Sequence, residues 1–277
     1  IHLVHEQPIR SVGIVGAGAM GAGIAQLAAT RGFQVSVREI SPQAADVGRR
    51  RIESLIQGYA KHKRWDDART DGLLRRVDVS AAGDALDDCD LVVEAIVEKL
   101  EAKQSLFADL ADRTNADTIL ASNTSSLSIA KIASTVQPKS RCAGLHFFNP
   151  VNRMELVEVV RGPDTDAATT ARLVSFVRAL GKTPVVTRDA PGFLVNRILF
   201  PYLGEAVVMV QEGLGVAEID RQLRRFGMPM GPLQLLDHVG LDVAASVAES
   251  LQPVMPEAGR VVETLSKLLD RGELGVK

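Results

Sequence analysis

Two side chains that could move a proton stand 12 positions apart, one at the end of an apolar run and one inside the next: His146 and Glu158. Alternation along the strand predicted for Met154–Val160 would place Glu158 on one face with Leu156 and Val160. A carboxylate among apolar neighbours must be paired, because burying an unpaired charge is costly. His146 is the nearest candidate partner, and an imidazole that titrates near neutral pH is suited to act as a base.

A glycine-rich turn follows the first apolar run, Ser11–Val15, which is typical of a buried parallel strand. The turn reads Gly16-Ala-Gly-Ala-Met-Gly21 and precedes a segment rich in helix formers. In a dinucleotide-binding turn, Gly16 would permit the tight bend, Gly18 the approach of a pyrophosphate, and Gly21 close packing of helix on strand. The helix N-terminus would then offer N–H groups to the phosphates. The alternative is a glycine-rich turn in an unrelated doubly wound fold.

Glu39 stands at the end of the second predicted strand, Phe33–Arg38, and follows Gly21 by 18 residues (39 − 21). At that distance an acidic side chain accepts hydrogen bonds from the adenosine ribose hydroxyls. Its charge would repel a 2′-phosphate, which favours NAD over NADP. Arg38, directly before it, weakens this preference slightly.

Polar residues also follow another predicted strand, Thr118–Ser122, as the tetrad Asn123–Ser126. Ligands bind at the carboxyl ends of strands in parallel sheets, so this position favours a binding role. The simpler interpretation is that the serines cap the next helix; Ser126 or Ser128 suits that task and leaves Ser125 to face a ligand. A histidine before two phenylalanines is itself more often a core residue, but the pairing with Glu158 favours catalysis.

Two further features have both a structural and a functional interpretation. Asn196 lies among apolar residues and either forms an interhelical hydrogen bond or points into a cleft between domains. The basic clusters at 49–51 and 61–64 lie on a helix predicted for Asp46–Lys63; they form either a solvated face or a patch for a phosphorylated substrate. The competing histidine, His238, is interpreted as structural.

Predicted strands alternate with helices up to about residue 188, and only helical patterns follow, at 193–212, 216–226, 233–249 and 257–269. The segment 65–74 is predicted to be irregular. This order predicts an α/β protein: a linker at 1–10, a Rossmann-like doubly wound sheet at 11–188, and a smaller all-α domain at 189–277.

Composition narrows the function classes. The 277 residues are 46% hydrophobic and 24% charged, with a net charge of −2, which favours neither nucleic acid nor an anionic membrane as a partner. The chain has two cysteines, outside any CxxC pair, which argues against a cysteine zinc site and fits a reducing compartment. No apolar run approaches the roughly 18 residues of a spanning helix. A bacterial-type cytoplasmic location is therefore expected.

Motifs along nearly the whole chain resemble the L-3-hydroxyacyl-CoA dehydrogenases of fatty-acid β-oxidation. The motifs are Gly16–Gly21, Leu91–Ala95, Ser122–Ser125, His146–Pro150, Leu156–Glu158, Pro191–Phe193, Val195–Arg197 and Met230–Pro232. The Pro-containing leader resembles the linker that joins an enoyl-CoA hydratase domain to the dehydrogenase in multifunctional α-subunits. The resemblance therefore implies a fused hydratase domain and a thiolase partner in a longer protein, and a helical domain that is cut short here.

The resemblance also implies NAD as cofactor, a 3-hydroxyacyl thioester of CoA as substrate, and roles for individual residues. His146 matches the catalytic base and Glu158 the carboxylate that holds it. The other matching residues are expected to bind ligands: Ser125, Asn149 and Asn196 around the substrate and nicotinamide; Glu98 and Lys103 near the cofactor and the CoA pyrophosphate; Ser54 and Lys61 at CoA; and Gly16, Ala17, Gly18, Ala19, Met20, Gly21, Glu39 and Ala95 at NAD. Asn196 and Ser125 are the candidate donors to the C3 oxygen, where negative charge develops.

Two alternatives remain at this point. A 3-hydroxy-acid dehydrogenase acting on a free acid shares a similar glycine loop, but it uses a catalytic lysine and lacks the His-Phe-Phe-Asn-Pro motif. A catalytically silent NAD-binding module would bind NADH tightly without turnover.

Overall fold

The computed structural model describes residues 8–276, so the first seven residues of the linker predicted for 1–10 lie outside the described part of the chain. The chain divides into two compact units, and the division falls between Asp189 and Ala190. Each unit has its own hydrophobic core.

The first unit contains one eight-stranded sheet. The strands are β1 (Ser11–Val15), β2 (Gln34–Arg38), β3 (Val77–Ser80), β4 (Leu91–Glu94), β5 (Ile119–Ser122), β6 (Cys142–Phe147), β7 (Leu156–Arg161) and β8 (Thr183–Arg188). Their order across the sheet is β3-β2-β1-β4-β5-β6-β7-β8. Neighbouring strands are parallel except β6 and β7, which are antiparallel. The order reverses between β1 and β4, which is where open parallel sheets bind ligands.

Helices cover both faces of this sheet. They are α1 (Ala19–Thr30), α2 (Pro42–Lys63), α3 (Asp67–Leu74), α4 (Leu100–Arg113), α5 (Ile129–Ile132), which continues as a 3-10 turn (Ala133–Thr135), and α6 (Ala167–Ala179). The largest core cluster joins the sheet to α1, α2 and α6, and a second cluster joins it to α4 and α5. Because both faces are covered, central strands such as β4 and β5 are buried at every residue, and each is an apolar run that ends in one polar residue, Glu94 in β4 and Ser122 in β5.

The second unit consists of five helices within the described residues: α7 (Val195–Gln211), α8 (Val216–Phe226), α9 (Pro232–Val239), α10 (Leu241–Leu251) and α11 (Ala258–Leu269). The apolar faces of α7, α9, α10 and α11 form a core that includes Phe200, Leu236, Ala248 and Leu265. The predicted fold class, a Rossmann-like sheet followed by a helical domain, is confirmed.

Two local predictions are wrong. The segment 65–74, predicted to be irregular, contains α3, whose N-cap Asp66 accepts a hydrogen bond from the backbone N–H of Arg69 at 2.8 Å. The single helix predicted for 233–249 is two helices, α9 and α10, because the chain turns at Gly240 with φ of +97°. Strand β3 was not predicted.

Asp90 ties the start of β1 to the start of β4. Its Oδ2 accepts hydrogen bonds from the backbone N–H groups of Arg10 and Ser11 and from the Ser11 hydroxyl, at 2.8–2.9 Å. Partial burial alone would raise the pKa of this carboxyl, but the three hydrogen bonds outweigh it, and the pKa lies below its usual value of 3.8.

The Asp90→Asn variant is expected to lose about 1 kcal/mol of unfolding free energy near pH 7, a modest value because the carboxylate is partly solvated. The pKa of Asp90 is lower in the folded protein than in the unfolded chain. The wild-type carboxylate therefore stabilises the fold at any pH above its unfolded pKa. This contribution is lost as the pH falls through the folded pKa. Urea unfolding near pH 7 and near pH 3 should therefore show a difference between wild type and variant that shrinks in acid. Asp88→Asn, at an exposed position two residues away, is the matched control. A difference that stays constant with pH would contradict the assignment.

No helix formed by residues 8–276 combines the length and the apolar character needed to cross a membrane.

Candidate active site

The antiparallel pair β6 and β7 brings the histidine and the glutamate together. His146 and Glu158 are directly opposite each other in the register. Opposite residues of antiparallel strands project side by side on the same face, so this register suffices to place the two side chains in contact. His146 Nδ1 lies 2.7 Å from Glu158 Oε2, and the two residues are 6% and 0% exposed. The pairing expected from the sequence is present.

The end of β6 is anchored by the loop that follows β5. The side-chain oxygen of Asn123 accepts a hydrogen bond from the backbone N–H of Phe147 at 2.9 Å. The ring of Phe148 lies 4.4 Å, centroid to centroid, from the imidazole of His146. Asn149, the next residue, is exposed on the connection between β6 and β7. The backbone directly after the imidazole is therefore held in place.

The glycine loop has the shape that a pyrophosphate requires. Gly16 has φ of +93°, a conformation that other residues rarely adopt. A side chain at Gly21 would collide with the backbone oxygen of Gly16, whereas one at Gly18 would meet nothing within 4 Å. Gly18 is the N-cap of α1, and no side chain within residues 8–276 caps that helix. The helix N-terminus and the open space over Gly18 fit the phosphates of a dinucleotide.

Within that loop, Ala17 is buried, Met20 is half-buried and Ala19 is exposed. Ala95 follows β4 and lies beside the loop, because its backbone N–H donates to the carbonyl of Val15 at 2.9 Å. The residues expected at the cofactor thus come from one end of the sheet.

Glu39 is joined to the glycine loop. Its Oε1 accepts a hydrogen bond from the backbone N–H of Ala17 at 2.5 Å, and its Oε2 accepts one from Ile40 at 3.2 Å. The neighbouring Arg38 forms an ion pair with Asp109 of α4 at 2.9 Å. Arg38 therefore has a carboxylate partner of its own, which removes the one observation in the sequence that weakened the preference for NAD.

Glu98 organises the loop after β5. It accepts hydrogen bonds from the Thr124 hydroxyl, from the backbone N–H of Ser125 at 3.2 Å and from the Ser126 hydroxyl at 3.2 Å. The cap of α5 is Ser128, whose hydroxyl accepts from the backbone N–H of Lys131, so capping does not require Ser125.

Other predicted ligand residues lie elsewhere. Ser54 and Lys61 are exposed on α2, two turns apart on one face. Asn196 is half-buried in the first turn of α7, in the second unit. His238 is exposed on α9 and its Nδ1 lies 2.8 Å from the carbonyl of Gln234, one turn earlier. The ligand contacts of Ser54, Lys61 and Asn196 stay predictions, whereas His238 was interpreted as structural and was not expected to bind a ligand.

Two buried charges reveal a feature that the sequence did not disclose. Lys103, expected near the cofactor, is 1% exposed, and its ammonium lies between the carboxylates of Glu98 and Glu94. Glu94, at the end of β4, is fully buried, and no role was predicted for it. One sequence feature could have indicated this ion pair: a glutamate ends an apolar run, and a lysine follows it nine positions later (103 − 94).

Comparisons with known proteins agree with this geometry. The family described as "3-hydroxyacyl-CoA dehydrogenase, NAD binding domain" matches residues 11–190. The family described as "3-hydroxyacyl-CoA dehydrogenase, C-terminal domain" matches residues 192–277. Together they span nearly the whole chain.

Individual relatives include a probable 3-hydroxyacyl-CoA dehydrogenase of Caenorhabditis elegans, which is 37% identical over 98% of this chain and 94% of its own length. The fatty acid oxidation complex subunit alpha of Acinetobacter baylyi is 36% identical over 91% of this chain. The chain spans only 36% of that subunit. The crystal structure of (S)-3-hydroxybutyryl-CoA dehydrogenase from Ralstonia eutropha superposes with a TM-score of 0.91, at 38% identity, over 97% of this chain and 96% of that one.

Proposed function

The chain belongs to the 3-hydroxyacyl-CoA dehydrogenase family, whose members are NAD-dependent oxidoreductases, and from this premise we propose that it oxidises L-3-hydroxyacyl-CoA to 3-ketoacyl-CoA in fatty-acid β-oxidation. The observation that carries the proposal is the buried contact between His146 and Glu158 in a sheet that also bears a dinucleotide loop.

The proposed reaction moves a hydride and a proton from the substrate. Bound NAD would accept the hydride that leaves C3. His146 takes the proton of the C3 hydroxyl while the C3–O bond becomes a carbonyl, and in the reverse reaction it returns that proton. An imidazole can both accept and release a proton, which suits both directions.

Glu158 orients the imidazole. An ionised carboxylate only accepts hydrogen bonds, so the proton between the two groups resides on His146 Nδ1. Nε2 is then the nitrogen that receives the substrate proton, and the resulting imidazolium is stabilised by the adjacent negative charge. We therefore propose that His146 is the base and that Glu158 is the carboxylate that positions it.

Other residues are proposed to hold the ligands. The loop Gly16–Gly21 binds the pyrophosphate and Glu39 the adenosine ribose. Ser125, Asn149 and Asn196 surround the substrate and the nicotinamide, and one of their donors stabilises the C3 oxygen, by roughly 3 kcal/mol when preorganised. Ser54 and Lys61 contact CoA. A fused hydratase domain, a thiolase partner and a cytoplasmic location are further proposals.

One assay tests the proposal. The protein is mixed with acetoacetyl-CoA and NADH, and we expect loss of NADH with kcat on the order of 1–10³ s⁻¹. A parallel arm supplies NAD with free 3-hydroxyisobutyrate, for which we expect no turnover. Turnover of the free acid without turnover of the thioester would identify a 3-hydroxy-acid dehydrogenase instead. Tight NADH binding with neither activity would identify a silent module.

A further inference from the structure

Glu94 is a fully buried carboxylate that the proposed chemistry does not use. It ends β4, one strand from the glycine loop. Its oxygens accept hydrogen bonds from the backbone N–H of Ile96 at 2.8 Å, from the Ser122 hydroxyl at 2.6 Å and from the Lys103 ammonium at 2.5 Å. These three partners compensate the charge of the buried carboxylate, because an uncompensated charge at that depth would be strongly destabilising.

Lys103 joins this carboxylate to a second one. Its ammonium, 1% exposed, also lies 3.1 Å from Glu98, whose side chain is 33% exposed. The three residues therefore form a line of charges, negative, positive and negative, that runs from the interior of the sheet to the surface. Burial alone would raise the pKa of Glu98, but Lys103 and hydrogen bonds from Thr124 and Ser125 outweigh it, and the pKa lies below its usual value.

The outer end of this line holds the loop after β5. Glu98 bonds the hydroxyls of Thr124 and Ser126 and the backbone N–H of Ser125. Thr124 in turn accepts a hydrogen bond from the backbone N–H of Leu127 at 2.9 Å. Any change in the charge of Glu98 would thus reach the backbone of Ser125.

The balance of charge depends on Glu94. With Glu94 ionised, Lys103 is neutralised from the interior side, and Glu98 keeps a net negative charge for donors that approach from solvent. Without that carboxylate, Lys103 has only Glu98 as its counter-ion, and Glu98 becomes a weaker acceptor for other groups. The charged groups of this line are Glu94 from β4, Glu98 from the following loop and Lys103 from α4.

We propose that Glu94 is a positioning residue for cofactor binding: it neutralises Lys103, so that Glu98 remains an anionic acceptor for the hydroxyl groups of the dinucleotide. The inference rests on the proposed role of Glu98 at NAD. It assigns Glu94 no contact with substrate or cofactor. Its effect should therefore pass entirely through Glu98.

A mutant cycle tests this dependence through the dissociation constant of NADH, measured by fluorescence and so independent of turnover. Glu94→Gln keeps the size of the side chain and removes its charge; we expect NADH binding about tenfold weaker and a KM for acetoacetyl-CoA within about twofold of wild type. Glu98→Gln should weaken NADH binding at least as much. The double variant should match Glu98→Gln, because Glu94 then has no carboxylate to act through.

Lys103→Met supplies a second readout. Without the ammonium, Glu94 has no charge to neutralise, so adding Glu94→Gln to Lys103→Met should leave the NADH affinity unchanged. A merely structural role of Glu94 would still weaken NADH binding in that background. If Lys103→Met does not fold, the cycle of Glu94 and Glu98 still decides the question.

Glu101→Gln, at an exposed position on α4, is the matched control and should bind NADH like wild type. The proposal is overturned if Glu94→Gln binds NADH normally, or if it weakens binding further in the Glu98→Gln background. The NADH affinities could change as this cycle predicts while acetoacetyl-CoA is not reduced. That result would uphold this inference and refute the proposed substrate.

Discussion

The His146→Gln variant is expected to reduce acetoacetyl-CoA about 10³-fold more slowly than wild type at saturating substrates. In that direction His146 supplies the proton to the C3 oxygen, and an amide cannot gain or lose a proton near neutral pH. In the wild-type protein, Glu158 Oε2 lies 2.7 Å from His146 Nδ1. The glutamine amide of the variant can still hydrogen-bond Glu158, so β6 and β7 should stay paired. Initial rates and the NADH dissociation constant, measured on the same sample, separate lost chemistry from lost cofactor binding.

His238→Gln is the matched control. This histidine is exposed on α9, and its described hydrogen-bond partner is the carbonyl of Gln234 in the same helix. Its kcat should stay within about twofold of wild type, as is usual for surface substitutions. If His146→Gln turned over as fast as this control, the proposed mechanism would be refuted.

The second large effect is expected for Glu158→Gln, with kcat about 10²-fold lower. The variant keeps the volume of the side chain but removes the charge that stabilises the imidazolium, and its NH₂ group can favour the wrong tautomer of His146. Stability should change little, because the glutamine amide fills the same space and can still hydrogen-bond the imidazole, so that no unpaired charge is left buried. Rate assays and thermal unfolding are measured together.

Glu155→Gln provides the comparison for that variant. Glu155 is exposed just before β7, so the same chemical change is made three residues away without touching the buried pair. We expect wild-type rates. A Glu158→Gln variant that lost activity only in proportion to a loss of folded protein would assign Glu158 a structural role instead.

Part of the fold and of the site was predictable from local sequence. The dinucleotide turn at Gly16–Gly21 was recognisable because it requires glycine at particular positions. Strands β1 and β5 were recognisable because strands buried on both faces are continuous apolar runs. The sheet and the helical unit followed from the order of such segments.

Other elements were not predictable, for reasons that particular residues make clear. Helix α3 contains polar residues on most of its surface and buries only Leu73 in its own range, so it lacks an apolar period. Strand β3 has four residues, too few for alternation to be recognised. The break between α9 and α10 depends on one glycine, Gly240, inside an otherwise continuous helical pattern.

The chain by itself determined which residue types are available and where the apolar segments begin and end. Its spacing also made His146 and Glu158 the natural pair, because neighbouring strands can bring positions 12 residues apart (158 − 146) together. Only the tertiary structure decided that β7 runs antiparallel to β6 with these two residues directly opposite. It alone showed that Lys103 is enclosed by Glu94 and Glu98. The physical reason is that a sequence pattern records which face of an element is apolar, whereas the partner of a buried charge is set by the strands and helices that pack around it.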